Sequence, residues 1–338
     1  MRCLVTAVAL TTVLSASAAS QARTAPPAPQ LKEHNEAWMV GTRPRDPHAD
    51  QKGRVWFVGQ TGNYIGRINT DGSIQKFEID AGTGPHNLVV NAKGEVWYTG
   101  NRNNRLVKMD PETGKITTYM IPDPAVRDPH TMIFDQKGNA WFTAQNSNFV
   151  GHFTPSTGQF KLFKMDEGSR PYGIVVDRNG RPWFDLFGTN KIGTIDPNTM
   201  EPKIYVLPNE RSKPRRVEVT SDGAVWYGDY TRGYLGRLDP ATGKTEEWLL
   251  PGGAGSLPYG MAVDDQDRIW VAETGPTMPV KLVSFNTKTR AFEHNIPIGD
   301  ATPNSIRHML FDPATKMIWF GQDRGFIGSI KVPTVVVP

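Results

Sequence analysis

At 338 residues and 37.5 kDa, the chain exceeds one ordinary compact domain, which leaves either two domains or one repeat architecture with a continuous core. Its net charge of +4 is dispersed, with no dense basic run beside aromatics, which excludes a nucleic-acid-binding surface of the usual kind. The single cysteine, Cys3, excludes a disulfide framework.

In chain order, Arg2 is followed by an apolar run from Cys3 to Leu14 and by the small residues Ala16-Ser17-Ala18. That pattern predicts a cleaved signal peptide over residues 1–18 and a periplasmic or secreted protein, because the run is too short to span a membrane. Residues 19–30 are rich in Ala and Pro and are expected to be disordered, since they offer little apolar surface to bury. No second apolar run of membrane length follows.

From residue 31 onward a repeat takes over. Trp56, Trp97, Trp141, Trp183, Trp226, Trp270 and Trp319 recur at separations of 41, 44, 42, 43, 44 and 49 residues. Each closes a β-hairpin phrase such as Pro85 to Trp97 or Pro129 to Trp141: an apolar strand, a polar turn with Gly, then a strand carrying the aromatic. A third strand follows, as in Ile65-Gly66-Arg67-Ile68, Ile192-Gly193-Thr194-Ile195 or Leu235-Gly236-Arg237-Leu238. Asp-Pro turns such as Asp110-Pro111-Glu112-Thr113-Gly114 lead into a fourth, for example Ile116 to Ile121 or Thr245 to Leu250. Four short antiparallel strands per repeat predict an all-β, seven-bladed β-propeller over residues 31–338. The last repeat stops after its third strand, Phe326 to Val332. The missing strand is expected from the N-terminus at Glu36-Ala37-Trp38-Met39-Val40, which resembles Glu246-Glu247-Trp248-Leu249-Leu250. The repeat tryptophans read as packing between blades.

The phrases Pro-His, Gly-x-h-Trp-Phe-Thr and Ile-Gly-Arg-Ile (h, apolar), spaced blade by blade, resemble the streptogramin lyases, also called virginiamycin B lyases, over residues 31–332. The resemblance implies a propeller that binds a cyclic depsipeptide over its channel mouth and opens the ester by magnesium-dependent elimination. The family's sixth-blade His falls on Tyr259, its seventh-blade His on Arg307, and the Glu before that on Ser305. Its late carboxylate is retained as Asp323, a candidate catalytic group.

The residue after each blade's opening Pro is expected at the channel mouth. Aligned on the turns, these are Arg45, His86, His130, Tyr172, Arg215, Tyr259 and Arg307, with Asn304 as the alternative seventh member. Arg45, Tyr172, Arg215, Tyr259 and Arg307 are candidate substrate-binding residues, because converging guanidinium groups favour an anionic ligand or a developing oxyanion. His86 and His130, with Asp128-Pro129 before the second, repeat the family constellation rotated around the ring. This predicts His130 as base and His86 as a second catalytic group, with His86, Asp128 and Gln145, or Asn146 in its place, at Mg²⁺ or another divalent cation. Asp185, Asp229 and Glu273 are expected to neutralise the arginines or to supply ligands, whereas His48, His152, His294 and His308 read as structural.

No phosphate loop, zinc-spaced Cys/His cluster or nucleophile elbow is present, so no organic cofactor is expected. The leading expectation is a monomeric streptogramin-lyase-like enzyme acting on a small cyclic or anionic molecule. The alternatives are a non-catalytic propeller that captures an anionic ligand at the mouth, and a calcium-dependent sugar-lactone hydrolase.

Overall fold

A computed structural model describes residues 31–275, 279–299 and 304–333. The expected signal peptide and Ala/Pro-rich segment lie outside the described residues. Seven four-stranded antiparallel sheets form the blades of a β-propeller. Six are consecutive meanders, with innermost strands Pro44–Ala49, Pro85–Val90, Pro129–Phe134, Pro171–Val176, Pro214–Val219 and Pro258–Val263. The seventh runs Ile306–Asp312, Met317–Gln322 and Phe326–Lys331, and is completed by the N-terminal strand Leu31–His34.

Ring closure from the N-terminus is therefore as expected, but the segment is not. Leu31 pairs with Ile330 and His34 with Ile327, while Ala37–Met39 forms a 3-10 turn. The chain has only a few residues in which to turn from the outer edge of blade seven to Pro44 at the channel. Thr42 Oγ1 fixes that turn by donating to the Met39 carbonyl (2.6 Å), and Trp38 packs edge-on against Tyr64.

The core is divided among the blade interfaces. Seven buried apolar clusters each join residues of adjacent blades, as where Trp56, Val58 and Ile65 meet Leu88, Val96 and Tyr98. Trp56, Trp97, Trp141, Trp226 and Trp270 are fully buried there. The acid of the preceding turn orients several of them: the indole N–H of Trp56 donates to Asp50, that of Trp183 to Asp177 and that of Trp270 to Asp264. The Gly of the third strand also has a physical reason. A Cβ at Gly66, Gly151, Gly193 or Gly236 would lie 2.0–2.2 Å from the ring of Phe57, Phe142, Phe184 or Tyr227 beneath it.

One irregularity positions the site. Every innermost strand carries a register shift near its start, as between Pro85 and Leu88 or Ile306 and Met309. Such a bulge re-aims side chains, and in blades two to seven it takes two successive residues out of the regular ladder; in blade one Arg45 still pairs with Val58 and the shift follows it.

Candidate functional site at the channel mouth

The first bulge residues are Arg45, His86, His130, Tyr172, Arg215, Tyr259 and Arg307. Ile306 pairs with Gln322 as Pro85 pairs with Gly100, which gives Arg307 the seventh place and leaves Asn304 in the preceding loop. The second bulge residues are Asp46, Asn87, Thr131, Gly173, Arg216, Gly260 and His308, a layer that the sequence reading did not single out.

The loops that enter the bulges are strained: Arg43, Asp128, Arg170 and Leu257, each preceding the opening Pro, have φ between 45° and 57°. Asn104 and Asn148 support two of these turns by accepting the backbone N–H of Asp128 and Arg170, and Asn63 does the same for Gly84 before Pro85.

On one side of the mouth, Tyr259 and Tyr172 share a short hydrogen bond between their hydroxyls. Arg307 Nη1 donates to the Tyr259 hydroxyl (3.2 Å), and the Arg215 guanidinium lies 3.7 Å from the centre of the Tyr259 ring. Arg215 also faces Tyr230, Phe187 and Tyr172 at 4.2, 4.7 and 5.2 Å, an aromatic box around one cation. Tyr259 is 2% exposed. Burial pushes its phenol up, but the fields of Arg215, Arg45, Arg307 and Arg216 outweigh burial and bring it down to about 8. Burial and its neighbour Tyr259 push Tyr172 the other way, up to about 12. One phenol of the pair is therefore the proton donor and the other the preferred site of negative charge.

On the other side, the His86 and His130 rings meet at 3.7 Å, and His130 stacks on Tyr172 at 4.1 Å. His86 Nδ1 bonds the His130 carbonyl, and His130 Nδ1 bonds Thr131 Oγ1. Burial, reinforced by Arg45 and Arg216, holds both imidazoles well below the usual histidine range, so both are neutral at physiological pH. The two histidines thus meet as expected, but the other cation donors do not join them. Asp128 is committed to the rim, where its oxygens accept from the backbone and side chains of Asn146 and Ser147, and Gln145 lies half-buried in that same loop. Among the described residues, no group of three or more His, Asp or Glu side chains converges to hold a metal ion. The donor set expected for Mg²⁺ therefore does not fit one cation, and the carboxylate cluster that a lactone hydrolase of the calcium type requires is not formed either.

Asp323 is engaged with the ring rather than free. Its oxygens accept from Arg307 Nε (2.9 Å) and Nη2 (2.6 Å), with Arg43 Nε at 3.8 Å. The other acids serve the loops: Asp185 accepts the Gly173 N–H, Asp229 pairs with Arg232, and Glu273 accepts the Gly252 N–H. Burial raises Asp185 well above the usual carboxylate range, even with Arg216 nearby.

The mouth therefore carries more cation than anion. Arg307 is paired with Asp323 and Arg45 with Asp46, whereas Arg215 and Arg216 have no carboxylate in ion-pair contact among the described residues. Arg45 Nη2, Arg215 Nε and Arg216 Nη2 are buried donors with no protein acceptor. Unmet donors of this kind are costly, and each is a position that a negatively charged or carbonyl-bearing group would complete.

The profile of the virginiamycin B lyase family matches residues 44–140 and 123–336, nearly the whole propeller. The chain belongs to the virginiamycin B lyase family. It is a divergent member: it is similar to virginiamycin B lyase from Staphylococcus aureus at 24% identity and a TM-score of 0.79, covering 90% of this chain and 100% of that one. A catalytically inactive form of the S. aureus lyase, solved with quinupristin, is 25% identical with a TM-score of 0.80 over the same shares. The extracellular domain of a hybrid two-component system protein from B. thetaiotaomicron shares the fold at 17% identity and a TM-score of 0.67, covering 89% of this chain and 42% of that one. No curated protein matches. No helix of the described residues is long and apolar enough to cross a membrane.

Proposed function

We propose that this propeller is a lyase-type enzyme that seats a small cyclic or anionic ester over the channel mouth and opens a carbon–oxygen bond by elimination. The observation that carries this reading is the constellation at Tyr259: a phenol held between Tyr172 and Arg307 under the Arg215 guanidinium. Arg215, with its unpaired Nε, and Arg307 orient the ester carbonyl or a neighbouring carboxylate and stabilise charge as it develops. The Tyr259 phenolate accepts the proton from the alcohol-side carbon adjacent to the one that bears the ester oxygen, a proton made acidic by a neighbouring carbonyl held by Arg215. Those electrons form the carbon–carbon double bond, the carbon–oxygen bond breaks, and the leaving carboxylate stays beside Arg307. Neutral His130, stacked on Tyr172, is the second proton acceptor within the ring. The donors expected for a cation do not come together with these groups, since Asp128 is held in the rim loop by Asn146 and Ser147. The short apolar run and small residues within 1–18 support a periplasmic or secreted setting for this activity.

A second reading, capture of an anionic ligand without turnover, is favoured by the depth of Tyr259, which is 2% exposed with its hydroxyl engaged by Tyr172 and Arg307. Calorimetry and turnover assays with depsipeptides, lactones and their open-chain carboxylates separate the two readings. Turnover that survives chelation and is lost in Tyr259→Phe supports the lyase. Saturable binding of carboxylates without product supports capture.

A further inference from the structure

Arg216 lies one residue further along its bulge than the mouth ring and crosses the channel. Its Nε donates to the carbonyl of Arg307 (3.0 Å) and its Nη1 to Thr131 Oγ1 (3.3 Å), both uncharged acceptors. Arg216 is 4% exposed, and Nη2 has no protein acceptor. Arg45, 3% exposed, spends Nε on Asp46 and Nη1 on Gln60, and its Nη2 is likewise unpartnered. Hydrogen bonds link the two: Asp46, the partner of Arg45, accepts from Asn87 Nδ2, and Asn87 Oδ1 accepts the N–H of Met132, next to Thr131, the partner of Arg216.

The packing makes room for Arg216. A Cβ at Gly173 would stand 3.2 Å from Arg216 Cδ and 2.6 Å from Asp185 Oδ2, so a larger residue at that second-bulge position would crowd the guanidinium stem. The charges in this layer do not cancel, because burial raises the two acids nearest Arg216, Asp185 well above the usual carboxylate range and Glu218 to about 8, so both hold their protons near neutral pH. Asp46 is engaged with Arg45 and Asn87, and the imidazoles are neutral. Asp185 turns one oxygen to the Gly173 N–H and leaves Oδ1 unpartnered. A buried guanidinium bonded only to neutral oxygens is a costly arrangement unless an anion completes it.

We propose that the channel, beneath the mouth, holds a small monovalent anion of the halide or nitrate class, bound between Arg45 Nη2 and Arg216 Nη2. The anion supplies the missing counter-charge and braces blades one, five and seven against one another. This site is separate from the substrate reading, which uses Arg215, Arg307 and Tyr259.

The test compares thermal midpoints of the full-length protein in sodium chloride, bromide, nitrate and gluconate at equal ionic strength. A saturable rise of roughly 2–4 °C at about one hundred times Kd is expected for the small anions over gluconate, and no such rise in Arg216→Met. Should Arg216→Met fail to fold, crystals of the unaltered protein soaked in bromide provide the second measurement. Anomalous density within hydrogen-bond reach of both Nη2 atoms is the expected result. An equal shift in the variant, or no bromide density between the two arginines, overturns the proposal. So does an anion-independent midpoint that falls in Asp185→Asn, since Asp185 would then be the counter-charge.

Discussion

Removing the Arg215 charge should move the ionisation of Tyr259 more than any other single change at the mouth. The guanidinium lies 3.7 Å from the ring centre, where one charge is worth about 4 kcal/mol at an effective dielectric constant near 20. Since about 1.4 kcal/mol corresponds to one pH unit, the ceiling is about three units. Partial exposure of Arg215 to solvent lowers the expected rise in Arg215→Gln to about one to two units, starting from a phenol near about 8. Phenolate difference absorbance across an alkaline titration reads this directly, and Tyr259→Phe identifies the low step among the nine tyrosines. The sign of the linked stability follows. The folded-state value lies below that of an unfolded phenol, so this group's contribution is fully present above about pH 10 and is lost as pH falls through about 8. A low step that persists in Tyr259→Phe, or an unchanged midpoint in Arg215→Gln, would refute the electrostatic account of the mouth.

Three further outcomes are expected. Tyr259→Phe should lower kcat on a cleaved substrate by about 10²–10⁴-fold while His130→Gln costs less, as steady-state kinetics on the same substrate would reveal; the reverse order would make His130 the base. Gly151→Ala should destabilise the protein by about 1–3 kcal/mol, measured by chemical denaturation, because its Cβ would lie 2.1 Å from the Phe142 ring. In the closing strand, His34 bonds Ser329, and burial, followed by the Lys32 charge, lowers it to about 4. Its contribution is therefore present above the unfolded value near about 6.5 and is lost as pH falls through about 4. Thermal midpoints of His34→Gln should fall less steeply across that range than those of the unaltered chain.

The fold was legible because each blade solves the same packing problem with the same residues. The Trp must fill a blade interface, the turn acid must accept its indole N–H, and the third-strand Gly must leave space for an aromatic ring. The ring of seven was legible for the same reason, since the opening Pro marks the bulge in six blades and the register supplies Ile306 in the seventh. The closing strand was misplaced because Glu36 to Val40 matches an outer strand in composition, whereas the path back to Pro44 demands a turn. Arg216 and Asp46 were missed because a regular strand turns neighbouring residues to opposite faces, and only the bulge brings both toward the channel. The partners of Arg216, Thr131 and Arg307, lie 85 and 91 residues away and leave no local signal. Asp128 stands beside His130 in sequence, but its left-handed backbone turns its carboxylate to the rim loop.

The most direct test of the central claim is the mass of the product. Chelator-treated protein is incubated with a streptogramin B-type depsipeptide and a panel of anionic esters and lactones, and each mixture is analysed by mass spectrometry. The account predicts an opened product of unchanged mass that is absent with Tyr259→Phe. A product heavier by one water, or neither product nor binding across the panel, would contradict it.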